Sequence, residues 1–125
     1  MAKHILIVDD EADFRFSASI GLRQAGYEVS EAEDGEDGFR QIMDKHSKGK
    51  SFDLVVLDIQ MPHMSGIEVF GAIRDHGIEV PIVFISGYAD DEIIKKLPDK
   101  GYNGLLHKPF ETEQLLSWVE LMVAQ

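Results

Sequence analysis

The sequence predicts an α/β fold of the doubly wound kind, a five-stranded parallel sheet in the order 2-1-3-4-5 with helices on both faces. Three observations predict it. Short runs of consecutive apolar, largely β-branched residues recur along the chain, as strands do when both of their faces are covered. Longer segments with apolar residues near helical spacing lie between them, and that alternation implies right-handed crossovers into a parallel sheet. The chain has 125 residues, 44% hydrophobic and 28% charged. This suits a single domain over residues 1–125, with a core from about 3 to 123, able to fold without disulfides or structural metal.

The first strand is His4-Ile5-Leu6-Ile7-Val8, which ends abruptly in Asp9-Asp10-Glu11. Phe14, Ala18, Ile20 to Leu22 and Ala25 then predict a helix over 13–25, with Gly26 as its C-terminal cap. Residues 27–32 alternate apolar with polar, as a sheet-edge strand does, and Glu33-Asp34-Gly35 turns the chain into a helix over 36–45. Ser47-Lys48-Gly49-Lys50-Ser51 is a polar, basic connector. Its Gly-Lys-Ser follows a helix instead of opening one and lacks the upstream glycine of a nucleotide loop, so it reads as a solvated loop.

Leu54 to Leu57 are four consecutive apolar residues and form the central, buried strand, which delivers Asp58 at its carboxyl end. Pro62 cannot extend that strand, and Ser65 caps a helix over 66–74 with Glu68 at capping-box distance. Residues 80–85 give a fourth strand, with Pro81 tolerable only at its start, ending at Ser86-Gly87. A short helix follows over 89–97, acidic early and basic late to match its dipole, and Pro98 ends it. Gly104-Leu105-Leu106-His107 is the last strand and runs into Lys108-Pro109-Phe110. The final helix, over 111–124, buries Leu115, Leu116, Val119, Met122 and Val123, with Trp118 on its flank.

Charge and composition exclude several functions. With 12 basic against 23 acidic residues the net charge is −11, so the surface repels nucleic acid and anionic membrane. The absence of cysteine excludes a thiol nucleophile and a zinc knuckle. Ile5 to Val8 are too few apolar residues for a signal-peptide core or a membrane span, and a cytoplasmic location is expected.

Four of the five strands end in a small polar set: Asp9 and Asp10, Asp58, Ser86 and Lys108. A parallel sheet brings all these ends to one edge, where ligands bind in open α/β folds. Carboxylates crowded there repel by roughly 4 kcal/mol per pair at about 4 Å and an effective dielectric near 20, so the edge calls for a cation. Oxygen ligands of this kind suit Mg²⁺, with Mn²⁺ as an alternative.

These residues carry a resemblance. Val8-Asp9-Asp10-Glu11, Asp58 followed by Met61-Pro62 and Met64-Ser65-Gly66, Ser86-Gly87, and Lys108-Pro109-Phe110 together resemble the receiver domain of bacterial two-component response regulators, over nearly the whole chain. The resemblance implies a flavodoxin-like receiver fold and a phosphorelay switch in which Asp58 accepts a phosphoryl group from a sensor histidine kinase or a histidine phosphotransfer protein. It further implies that Asp9, Asp10, Asp58 and the backbone carbonyl of Gln60 hold Mg²⁺, that Lys108 pairs with the phosphoryl oxygens, and that Ser86 hydrogen-bonds the phosphorylated site. The chemistry is consistent with this, because an ionised carboxylate needs no general base and transfer needs mainly positioning and charge neutralisation.

The family usually has Tyr or Phe three residues before the lysine, where this chain has Leu105, and Ser86 replaces the commoner Thr. Readout is therefore expected mainly in the Ser86-Gly87-Tyr88 loop and the helix after it, with Tyr88 shielding the acyl phosphate and Leu105 contributing little. The face of the fourth helix, fifth strand and fifth helix is the expected partner or homodimer surface, with Trp118 and Leu121 as an apolar ridge. Two rival readings are weaker. A phosphatase of the haloacid dehalogenase type would place an Asp two residues after the nucleophile, where Gln60 stands, and a flavodoxin-like cofactor binder would need a glycine-rich loop after the first strand.

Overall fold

The computed structural model describes residues 2–87, 91–98 and 101–124. In chain order the elements are β1 (His4–Val8), α1 (Ala12–Gln24), β2 (Glu28–Ala32), α2 (Gly35–Ser47), β3 (Leu54–Asp58), α3 (Gly66–Asp75), β4 (Ile82–Ser86), α4 (Asp91–Ile94), β5 (Gly104–His107) and α5 (Thr112–Val123). The strands form one sheet in the order β2-β1-β3-β4-β5, every pair parallel. The predicted fold class and strand order are thus observed.

The strands without polar alternation are the ones buried on both faces. β1, β3 and β4 are almost wholly enclosed, whereas β2 and β5 form the edges and expose part of their side chains. Successive side chains point to opposite faces and build two cores. Leu6, Val8, Val55, Leu57 and Phe84 pack against Ile42 of α2 and Val69 and Ile73 of α3. Ile5, Ile7, Leu54, Val56, Val83 and Ile85 pack against Ala18 and Leu22 of α1 and Leu115 and Val119 of α5. Each such side chain contributes about 1.5–3 kcal/mol by leaving water, so the sheet edge that carries the polar residues rests on a rigid base.

Local signals explain the element ends. Gly26 closes α1 at φ 99°, a conformation that costs a residue with a Cβ. Ser65 and Glu68 form the reciprocal capping box that starts α3, each bond 3.1 Å long. The buried face of α1 is Ala18, Ser19 and Leu22, and Ile20 points outward. Two expectations need correction. The fourth strand begins at Ile82, with Pro81 just before it, because the proline ring has no N–H for the ladder. The expected fourth helix over 89–97 ends at Ile94: the amides of Lys96 and Leu97 bond to Ile93 and Ile94, three residues back, so the chain tightens into turns before Pro98. Its expected start at 89 lies outside the described residues. Among the described residues no helix is long and apolar enough to cross a membrane.

Candidate functional site

The carboxyl ends of β1, β3, β4 and β5 bring the predicted residues to one edge. Asp9 follows β1, and its amide donates to Ala32 O at 3.1 Å, which fixes the strand end. Asp58 is the last residue of β3, and Ile59 donates to Ile85 O at 3.0 Å, so the central strand stays in register up to the carboxylate. Behind it the loop folds back tightly. Met64 N bonds to Pro62 O at 2.7 Å around His63, whose φ of 69° makes a γ-turn, and Gly66 N bonds to Ile59 O at 2.8 Å.

Asp9 is fully buried, Asp58 nearly so, and Asp10 exposed. One carboxylate oxygen from each lies within 4.8 Å of the other two. Burial, reinforced by the negative charge of Asp9, pushes the Asp58 carboxyl up to about 8. Burial also raises Asp9, against the pull of Lys108. Asp9 Oδ2 is buried and has no partner of full hydrogen-bond geometry among the described residues, although Lys108 Nζ stands 2.8 Å away as an ion pair. Three carboxylates with ligand oxygens this close together are the donor set a hard divalent cation takes, so these residues fit the expected metal.

Lys108 lies at the same edge, among carboxylates. Its ammonium pairs with Asp9 at 2.8 Å and with Glu11 at 2.5 Å, and lies 4.5 Å from the centroid of the Phe14 ring. Asp58 acts on it only as a nearby charge. Burial alone would lower the ammonium, but its contacts with Asp9 and Glu11 outweigh that and its pKa stands above the ordinary value. Lys108, Glu11, Phe14, Gly87, Pro109 and Phe110 line a cleft of about 430 Å³ beside the cluster.

The remaining predicted residues are also located. Gln60 N faces Asp58 Oδ1 at 3.4 Å, a long contact within the same turn. Ser86 ends β4, is fully buried, and its Oγ lies 2.9 Å from Nδ1 of His107 on β5. Leu105 is half-buried on β5 and packs on the core beneath α2 and α3. Trp118 and Leu121 on α5 are 44% and 65% exposed, so the expected ridge is open to solvent. Tyr88 lies outside the described residues.

Three residues gain a part that the sequence reading did not give them: Glu11 as a partner of Lys108, Gly66 as the close neighbour of Asp58, and His107 as the partner of Ser86. The acidic run Asp9-Asp10-Glu11 is a visible signal for the first, and the Ser65-Gly66 helix start for the second. Nothing local marks His107.

Comparison with known proteins bears on this edge of the sheet. The family model described as the response regulator receiver domain matches residues 5–120. The transcriptional regulatory protein DltR of Streptococcus agalactiae is 33% identical over 121 residues, covering 97% of this chain and 52% of that protein. The sensor kinase CckA of Brucella abortus is 34% identical over 119 residues, covering 95% of this chain and 12% of that protein. A receiver domain protein (CheY-like) from Methanospirillum hungatei superposes with a TM-score of 0.85 at 27% identity, covering 99% of this chain and 95% of that one. The chain therefore spans about half the length of the regulator and a small part of the kinase.

Proposed function

Because this chain belongs to the family of response regulator receiver domains, we propose that it is a phosphorelay switch whose acceptor is Asp58. The observation that carries the reading is the buried Asp58 carboxylate at the end of the central strand, with Asp9 and Asp10 gathered around it. Asp9, Asp10 and Asp58, with the backbone carbonyl of Gln60, would hold Mg²⁺, which when bound supplies positive charge against the phosphoryl oxygens. Ionised Asp58 attacks phosphorus with one carboxylate oxygen, the bond from phosphorus to the donor imidazole breaks, and the imidazole leaves with the electron pair. Lys108 leaves Glu11 to pair with a phosphoryl oxygen, and Ser86 donates its hydroxyl to another. The added charge of about −1.5 to −2 shifts the population of the Ser86 loop and of the α4-β5-α5 face.

On this reading the domain signals and acts catalytically only on its own phosphorylation and dephosphorylation. Its phosphodonor is a sensor histidine kinase or a histidine phosphotransfer protein, and Trp118 and Leu121 contact a downstream partner or a second copy. A net charge of −11 argues against direct nucleic-acid contact by this domain, and the setting on this reading is the cytoplasm.

Incubation with a labelled small phosphodonor such as acetyl phosphate and Mg²⁺ tests the proposal. One acid-stable, base-labile phosphoryl group is expected per chain. It should be absent from Asp58→Asn and from the wild type in excess EDTA. Undiminished labelling of Asp58→Asn would remove Asp58 as the acceptor, and equal labelling in EDTA would remove the metal.

A further inference from the structure

The hydroxyl assigned to the phosphoryl group is already engaged. Ser86 and His107 are register partners on adjacent parallel strands, so their side chains stand on the same face of the sheet. Ser86 Oγ and His107 Nδ1 are 2.9 Å apart. The backbone ties the same two strand ends together, for Lys108 N donates to Ser86 O at 2.8 Å. Ser86 is fully enclosed while His107 is exposed, so one end of this contact lies in the site and the other reaches solvent.

A serine hydroxyl has one proton, and a neutral imidazole has one donor and one acceptor nitrogen. Phosphoryl oxygens only accept. If Ser86 spends its proton on Nδ1, it has none to give the phosphoryl group. If instead Nδ1 carries the ring proton and donates to Ser86 Oγ, the hydroxyl proton is free to point at a phosphoryl oxygen, and donation onto the oxygen strengthens it as a donor. Both arrangements fit the same 2.9 Å contact.

We infer that His107 is a positioning residue for Ser86: its ring accepts the hydroxyl proton in the resting domain and donates to the hydroxyl oxygen once Asp58 is phosphorylated. The exchange conserves protons, since Nε2 returns its proton to water as Nδ1 takes one from water. Residue 105 then need not carry the readout, because the neighbouring exposed imidazole on the same strand changes its donor and acceptor sides when the buried site is filled. This inference rests on the proposed role of Asp58 and Ser86.

The test uses the full chain with Mg²⁺ and beryllofluoride as the phosphoryl stand-in, at pH about 8, where imidazoles are ordinarily neutral. Fluorine resonances report whether beryllofluoride is bound, and ¹⁵N shifts of the His107 ring report its tautomer. The ring is expected to change from the Nε2–H to the Nδ1–H form on binding. His107→Phe keeps a ring at this exposed position but removes both the resting acceptor of the hydroxyl proton and the donor that strengthens it, so beryllofluoride affinity should change by about twofold or more. The same substitution should have no effect in a Ser86→Ala background. Bound beryllofluoride with unmoved His107 nitrogens, or an equal effect of His107→Phe with and without Ser86, would overturn the inference alone. Failure of beryllofluoride to bind the wild type would overturn the Asp58 reading and, with it, this inference.

Discussion

Gly66 sits directly against the backbone of Asp58: a Cβ at Gly66 would stand 2.1 Å from the Asp58 carbonyl oxygen and 2.9 Å from its carbonyl carbon. The obstacle is backbone in the last turn of the central strand, which cannot swing aside as a flexible side chain would. The start of α3 is thereby pressed onto the end of β3, and the Asp58 carboxylate has a fixed base.

Gly66→Ala should therefore move the strand end as well as destabilise the fold. A loss of about 1–3 kcal/mol is expected in urea unfolding, as for other overpacked sites, together with weaker labelling of Asp58 under folding conditions. Wild-type stability and labelling in this variant would show that the loop gives way without disturbing the site.

The raised Asp58 has a consequence for stability in the absence of metal. Its carboxyl moves from an ordinary 3.8 to about 8 on folding. Between those values the folded chain holds a proton that the unfolded chain has released, so stability falls as pH rises through this window. Asp58→Asn, which cannot ionise, should stabilise the metal-free domain by on the order of 2 kcal/mol near pH 8.5 and hardly at all near pH 4. Urea melts in EDTA at both pH values measure this. Equal effects at the two would mean that the burial of Asp58 does not hold its proton.

Mg²⁺ should act in the opposite sense on the wild type. Ligation requires the ionised carboxylate, so binding competes with the proton, and apparent affinity should rise as pH approaches 8. A calorimetric titration reads it out. An affinity independent of pH would place the metal away from Asp58.

Glu11 competes for Lys108. Its carboxylate is exposed and holds the ammonium at 2.5 Å, while Asp9 holds it from within the site. Glu11→Gln should leave stability within about 1 kcal/mol of wild type, as is usual for an exposed ion pair. Beryllofluoride affinity should increase about two- to fivefold, because the ammonium has one fewer anion to leave. A decrease would mean that Glu11 steers Lys108 toward the site instead of away from it.

On α5, Leu121 is 65% exposed next to a half-exposed Trp118. Leu121→Glu removes an apolar contact without touching the core, so stability should stay within about 0.5 kcal/mol. Sedimentation and pull-down with the phosphorylated domain should show weaker self-association or partner binding. Unchanged binding would take the ridge out of the interface.

The fold was legible because its determinants are local and repetitive. Runs such as Leu54-Val55-Val56-Leu57 announce a doubly covered strand, Ser65 and Glu68 announce a helix start, and the alternation of the two periods leaves few topologies open. The set Asp9, Asp10, Asp58, Ser86 and Lys108 was legible for the same reason, since strand ends in a parallel sheet must share an edge. The short fourth helix was less so, because the same acidic-to-basic sequence suits a helix or a series of turns, and Pro98 decides only where either stops.

What the amino-acid order determined by itself was the sheet and the company each strand end would keep. Tertiary structure decided which groups touch. Lys108 meets Glu11 across 97 residues of chain, and Ser86 meets His107 across 21. Those partners depend on strand register and on burial. Hydrophobic periodicity fixes where a strand lies and which face it buries, but the choice among several carboxylates for one ammonium is an electrostatic competition settled only when their distances and burial are fixed.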